Sequence, residues 1–204
     1  MTRRREAEVG RFGLEPAPGG LRLVQSLINT SLSGHQGELE EDLLAKPGTA
    51  NEWLSRALAE WSAVTGQQVA GRTVRGAELG ALRVFREQLR NTLRAQAAHI
   101  EAPALREPGA AASAFDIVVT LRADGHLGYG TSAPGWQQVA GLATAELLLA
   151  RAAGTLPRLK TCAAPDCGAC FYDGSPNRIR VWHNTQMCGN LPNLRASRAR
   201  RSAS

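Results

Sequence analysis

Between residues 49 and 61, Trp53, Ala57 and Trp61 recur at every fourth position, with Leu54 and Leu58 beside them. That spacing gathers apolar side chains on one face of an α-helix. Thr49 and Glu52 stand where a T-x-x-E capping box would open it. After a glycine-rich break, TGQQVAGRTVRG, the longest helix is expected over about 77–100. Leu82, Phe85, Leu89, Leu93 and Ile100 mark one face of it, and Arg83, Arg86, Arg90 and Arg94 lie largely elsewhere. Upstream, LRLVQSLINT (21–30) suits either an opening helix or a short strand. Leu39, Leu43 and Leu44 follow at helical spacing in an acidic stretch. EAPALREPGAA then breaks the chain.

The period next shortens. FDIVVTL (115–121) is rich in β-branched residues, RADG is a turn signal and HLGYGT follows, which together read as a β-hairpin. SAPGWQQVAGLATAELLLARAAG (132–154) has Pro134 near its start and Gly154 at its end, so it reads as a helix. It is apolar nearly all round, which implies central burial. No internal repeat is visible. The pattern predicts a mainly α fold with a β-hairpin (α+β): a loosely ordered N-terminus over 1–20, a helical domain over 21–154, and a small module over 158–201.

The chemistry concentrates in that last module. All four cysteines of the 204-residue chain fall between Cys162 and Cys188. No apolar run approaches the roughly 18 residues of a membrane span. The basic N-terminus MTRRREAEVG is followed by no apolar signal-peptide core. The expected location is therefore cytoplasmic, where thiols stay reduced and clustered cysteines point to a metal. A structural zinc takes four thiolate or imidazole ligands in a tetrahedron. Two sets compete. One is Cys162-x4-Cys167 with His183-x4-Cys188. The other is Cys167-x2-Cys170-x12-His183-x4-Cys188, the spacing of a ββα finger. That finger needs a helix running up to its first histidine, whereas Gly174, Pro176 and Asn177 favour a turn there. The first set is preferred, with Cys170 as a core thiol.

Four protein ligands close a zinc site to catalysis. His35, His99 and His126 are isolated, and no G-x-S-x-G, H-E-x-x-H or phosphate loop occurs. An enzyme is the least expected class.

Charge sharpens the picture. The chain carries 24 basic and 18 acidic residues, a net +6. Residues 158–204 hold eight of the basic residues against Asp166 and Asp173, so the whole excess lies on the cysteine-bearing segment. Such a footprint suits phosphates. FYDGSPNRIRVW reads as a second hairpin, with Phe171–Tyr172 and Ile179–Trp182 flanking a turn and with Arg178 and Arg180 on one face. Pro192 suits the first turn of a helix, on which Arg195 and Arg198 share a face ahead of Arg200 and Arg201. Trp182 has two candidate roles, covering the metal or stacking on a base, and the first is preferred in so small a module.

RLKTCAAPDCGACFYDGSPNRIRVWHNTQMCGN resembles the CGNR-type zinc finger, whose pattern runs C-x4-C, an aromatic–x–Asp, an arginine-rich segment, Trp-Cys and a closing C-G-N-R. The resemblance implies one structural zinc on Cys162, Cys167, His183 and Cys188, and Phe171, Asp173, Arg180, Trp182, Gly189 and Asn190 also fit. His183 stands where the family usually has cysteine, and Leu191 replaces the arginine of the name. LRLVQSLINTS is similar to the opening of the ABATE domain that usually precedes this finger, and the Asp124-Gly125 hairpin fits it too. What the resemblance implies is a stress-induced transcription regulator. Its DNA-binding residues would be Arg178, Arg180, Arg195, Arg198, Arg200 and Arg201. The helical domain would sense a small-molecule effector or form a homodimer. The alternative is a protein-interaction or ligand-binding module in which zinc is purely structural.

Overall fold

The computed structural model describes residues 11–32, 41–69, 73–97, 114–164 and 167–189. Helix α1 (Leu21–Ile28) answers the question left open for 21–30. Leu21, Leu23, Val24, Leu27 and Ile28 are all buried, a spread round the helix that only a central position satisfies. Helix α2 (Pro47–Thr65) starts three residues before the capping box would place it. Pro47, with its φ already helical, opens the first turn. The Thr49 hydroxyl donates to the Leu43 carbonyl (2.9 Å), so the expected cap does not form. Gly66 ends α2 in the left-handed region, φ +71°, as helix C-termini commonly require.

Helix α3 (Leu79–Ala97) follows a 3-10 turn at Gly76–Glu78. Leu82, Phe85, Leu89 and Leu93 are buried as expected, while Ile100 lies outside the described residues. Arg86 and Arg90 are not on a solvated face. Both are buried, and each has a fastening role. Arg86 forks onto the Asp42 carboxylate (2.7 and 3.0 Å) and donates to Thr30 Oγ1 (3.0 Å). Arg90 donates to the carbonyls of Ile28 (2.7 Å) and Ser31 (2.5 Å). These carbonyls lie at the C-terminal end of α1, where the helix itself supplies no donors. Leu43 and Leu44 fall in the turn that carries Asp42, and Leu44 is fully buried.

Strands β1 (Val118–Leu121) and β2 (Leu127–Gly130) form the expected antiparallel hairpin, with Val119 opposite Tyr129 and Leu121 opposite Leu127. Its root packs on helix α4 (Gly135–Ala152): a Cβ at Gly141 would stand 3.5 Å from Phe115 and 3.6 Å from Ile117. The first turns of α4 are central, with Val139, Ala140, Leu142 and Ala143 fully buried. Its second half departs from the expectation of all-round burial, since Leu148 and Leu149 are exposed.

The Glu146 carboxylate on α4 is buried. Trp61 Nε1 (2.6 Å) and the Tyr129 hydroxyl (2.5 Å) both donate to its Oε1. Burial and this carboxylate push the Tyr129 phenol above its ordinary pKa. The same carboxylate lies against Gly20 at the start of α1, where a Cβ would come within 1.9 Å of it. Gly20→Ala is accordingly expected to destabilise the fold by about 1–3 kcal/mol, the usual cost of forcing atoms into a filled core. A fall in the urea midpoint at unchanged m-value checks it.

Part of the stretch over 11–20 is tied to α1. The Ala17 N–H donates to Gln25 Oε1 (2.6 Å), and Ala17 and Leu14 are buried. Residues 1–10 lie outside the described residues. Strands β3 (Leu159–Thr161) and β4 (Cys170–Tyr172) form a second antiparallel pair, with Leu159 opposite Tyr172 and Thr161 opposite Cys170. Phe171–Tyr172 thus pairs with β3, and the expected partner, Ile179–Trp182, is not a strand.

Candidate metal centre

The β3–β4 pair is a shared wall. Alternate residues of a strand face opposite sides. Leu159, Cys170 and Tyr172 pack with the large core of the helices, whereas Phe171 packs with a smaller cluster of Leu14, Cys162, Ala164, Cys167, Ala169 and Cys188. Cys170 therefore faces away from the other thiols. Full burial pushes its thiol pKa up, and it is a core residue, as the preferred reading of the spacing held.

The other four candidates meet on the far side of the wall. One ligand-type atom from each of Cys162, Cys167, His183 and Cys188 lies within 4.8 Å of the others. His183 Nδ1 stands 3.4 Å from Cys167 Sγ and 3.6 Å from Cys188 Sγ. A tetrahedral zinc with its usual bonds to sulfur and imidazole nitrogen would separate those atoms by about 3.6 Å. The three thiols are fully buried and His183 is 9% exposed. The contact with Cys167 and His183 draws the Cys162 thiol down, while the contact with Cys162 together with burial pushes Cys167 up, and burial pushes Cys188 up. Three sulfurs cannot all ionise in one buried space without a counter-charge, and a divalent cation supplies it. The cluster is suited to one zinc ion. Coordination through Nδ1 leaves the imidazole proton on Nε2.

Local sequence explains how the ligands arrive. Cys167 is followed by Gly168 at φ +67°. This lets the chain reverse so that Cys162 N–H bonds the Ala169 carbonyl (2.8 Å) and Cys167 N–H bonds Ala164 (3.1 Å). Cys188 is followed by Gly189 for another reason: a Cβ there would stand 3.1 Å from the Trp182 ring. Trp182 is half-buried against the ligand cluster, which fits the covering role preferred for it. Asn184 Oδ1 accepts from the N–H groups of Gln186 (2.9 Å) and Met187 (3.1 Å), ordering the turn that ends at Cys188.

The loop between the ligand pairs is organised by the buried Asp173. Its Oδ1 accepts from Ser175 N (3.0 Å) and Ser175 Oγ (2.6 Å), and its Oδ2 from Lys160 Nζ (2.8 Å) and Arg180 N (3.0 Å). This pull explains the missing strand: the segment after Asp173 turns onto Lys160 instead of back along β4. Ala163 N–H then bonds the Val181 carbonyl (2.9 Å). Arg158 donates to the carbonyls of Asp173 (2.9 Å) and Ser175 (2.8 Å). Two of the eight basic residues are thus internal struts. Arg178 is exposed. Arg180 donates to the His183 carbonyl (2.8 Å) and lies over the Phe171 ring at 5.3 Å. Arg195, Arg198, Arg200 and Arg201, with Leu191 and Pro192, lie outside the described residues.

Sequence reasoning did not find the residues that tie this module to the helices. Asn29 of the turn after α1 brackets Cys170: its Nδ2 donates to the Cys170 carbonyl (2.9 Å) and its Oδ1 accepts from the Cys170 N–H (2.8 Å). Gln25 Nε2 donates to the same carbonyl (3.4 Å). The available signal was two amides four positions apart, Gln25 in α1 and Asn29 just after it, on one side of the helix. Phe12, Leu14 and Leu32 complete the ligand-side cluster.

A model of the CGNR zinc finger matches residues 158–201. A second family model, ABATE, described as "Putative stress-induced transcription regulator", matches residues 21–159. No curated protein matches the chain. Among the described residues no helix is long and apolar enough to cross a membrane. The second match spans well over half of the sequence, and the chain belongs to the ABATE family, joined here to a C-terminal CGNR zinc finger.

Proposed function

We propose that the chain is a DNA-binding transcription regulator. In this reading Cys162, Cys167, His183 and Cys188 hold one structural zinc, and Arg178, Arg180, Arg195, Arg198, Arg200 and Arg201 meet the phosphate backbone. The observation that carries the reading is the charge distribution. The entire net +6 belongs to residues 158–204, and Asp173, the one acid among the described residues of that segment, is buried. The family description supports the regulatory part. A sensor or dimerisation role for the helical domain belongs to the same proposal. Its support is the bracket from Asn29 to Cys170, through which a shift of α1 would move the wall that carries the finger.

Each neutralised phosphate contributes about 0.9 to the slope of log affinity against log salt. Four to six contacting arginines give a slope on the order of −4 to −5. Replacing Arg195 or Arg198 by alanine is expected to lower the magnitude by about one unit and to weaken all sequences alike. Titrations at several salt concentrations check this. Salt-independent binding, or none to any duplex at low salt with zinc loaded, overturns the DNA reading in favour of a protein-interaction module.

A further inference from the structure

The metal module presents an apolar side chain at an unusual place. Ile179 is 73% exposed between Arg178 and Arg180. An exposed isoleucine alone needs no explanation, but the backbone under this one is pinned from both sides. Lys160 Nζ donates to the carbonyl of Arg178 (2.5 Å) and to that of Arg180 (3.1 Å), the two residues flanking Ile179. The Arg180 N–H is held by Asp173, and Arg180 itself is braced on the His183 carbonyl and the Phe171 ring. Arg178 sits at φ +54°, a left-handed conformation unfavourable for a residue with a long side chain. Strain of this kind persists where the surroundings over-determine it, and it collects at working sites. The result is a rigid knuckle with an aliphatic tip and a cation beside it.

We propose that Ile179 is a wedge that enters the minor groove of duplex DNA and inserts between two base pairs, with Arg178 beside it in the groove. This rests on the DNA reading above, moves Arg178 from the backbone into the groove, and adds how the duplex is held and what sequence feature is favoured. Aliphatic wedges partly unstack a base step and bend the duplex toward the major groove. An arginine next to the wedge meets the strongest negative potential where the minor groove is narrow, over A·T pairs, and pyrimidine–purine steps yield most easily. The charge of the module selects a polyanion over a protein as occupant, because no exposed acidic side chain stands near the tip among its described residues.

The test uses the full zinc-loaded chain and end-labelled duplexes of about 30 base pairs, one with a central TA step in A·T pairs and one all G·C. Energy transfer between the ends is expected to report a bend of about 20–90° on the first duplex. Preference over the second is expected at about tenfold. Ile179→Ala is expected to abolish the bend and level the preference while keeping the salt slope and the zinc content. Ile179→Leu is expected to keep both. Bending by Ile179→Ala equal to the parent overturns the wedge, and so does a loss of self-association in that variant with bending unchanged. Salt-dependent binding by the parent without any bend removes the wedge and leaves the DNA reading intact, whereas absence of duplex binding by the parent removes both.

Discussion

Stripping the metal is expected to release the two ligand loops, residues 162–169 and 173–189, and to leave helices α1–α4 folded. The ligand-side cluster is small, and three of its seven buried members are the thiols Cys162, Cys167 and Cys188. Without a cation little apolar surface remains to order the loops. Structural zinc contributes roughly 10–16 kcal/mol to folding in finger peptides at neutral pH. The helical core lies across the β3–β4 wall and contains none of the four clustered residues. Trypsin should therefore gain access to Arg178 and Arg180 after chelation, while the far-UV helical signal changes little. Cys162→Ser and Cys188→Ser are expected to lose zinc stoichiometry, and Cys170→Ser to retain it. The reverse pattern, with Cys170→Ser empty and Cys162→Ser loaded, would refute the ligand set.

Lys160→Met is expected to produce the next largest loss, about 3 kcal/mol. That is the lower end of the cost of breaking a buried ion pair, because the Lys160 side chain is 13% exposed and Asp173 0%. The variant leaves a buried carboxylate with three donors and no counter-charge. Adding Asp173→Asn should recover part of the loss, and a double-mutant cycle measures the coupling. Burial alone would push the Asp173 carboxyl up. Lys160, the two Ser175 donors and the Arg180 N–H outweigh it and hold the group well below the usual carboxylate range. A depressed folded-state pKa adds stability that is full above the unfolded value, about 3.9. That stability drains away as pH falls below it. The wild type should lose this increment on acidification, and the Asp173→Asn variant should not.

The elements with a clean period were legible in the sequence. The apolar stripes of α2 and α3 fall where the pattern puts them, because one-sided burial imposes the period directly, whereas the β1–β2 hairpin, whose first strand is exposed throughout, was readable from its β-branched run and turn signal. The β4 pairing was not legible. Whether Phe171–Tyr172 meets 159–161 or 179–182 depends on Asp173, whose buried carboxylate turns the chain through contacts remote in sequence. The same holds for Arg86 and Arg90. Their charge argued against burial, although Arg86 lies on the Leu82–Leu93 side of the helical wheel, and only the carbonyls at the end of α1 and the Asp42 carboxylate make that burial possible. Within the candidate site, the four residues that converge were readable from spacing and from a resemblance. The exclusion of Cys170 follows physically from strand alternation, which spacing alone does not reveal. Gln25 and Asn29, whose shared partner Cys170 lies more than 140 positions away, leave only a faint trace in sequence, as polar residues in and just after α1.

The shared wall bears on how the finger can be handled apart from its chain. A fragment beginning at residue 158 would carry β3 and β4 without the helices behind them. Leu159, Cys170 and Tyr172 would then face water, and Cys170 would lose the bracket from Asn29. Its thiol, deeply buried and held protonated in the whole protein, would become a fifth donor within reach of metal and oxidant. Zinc titrations, alkylation counts and oxidation assays on such a fragment would register a thiol that the intact protein keeps out of play. A transplanted version therefore needs a replacement for this residue, with serine or alanine at position 170, and a new surface to cover the exposed side of the sheet.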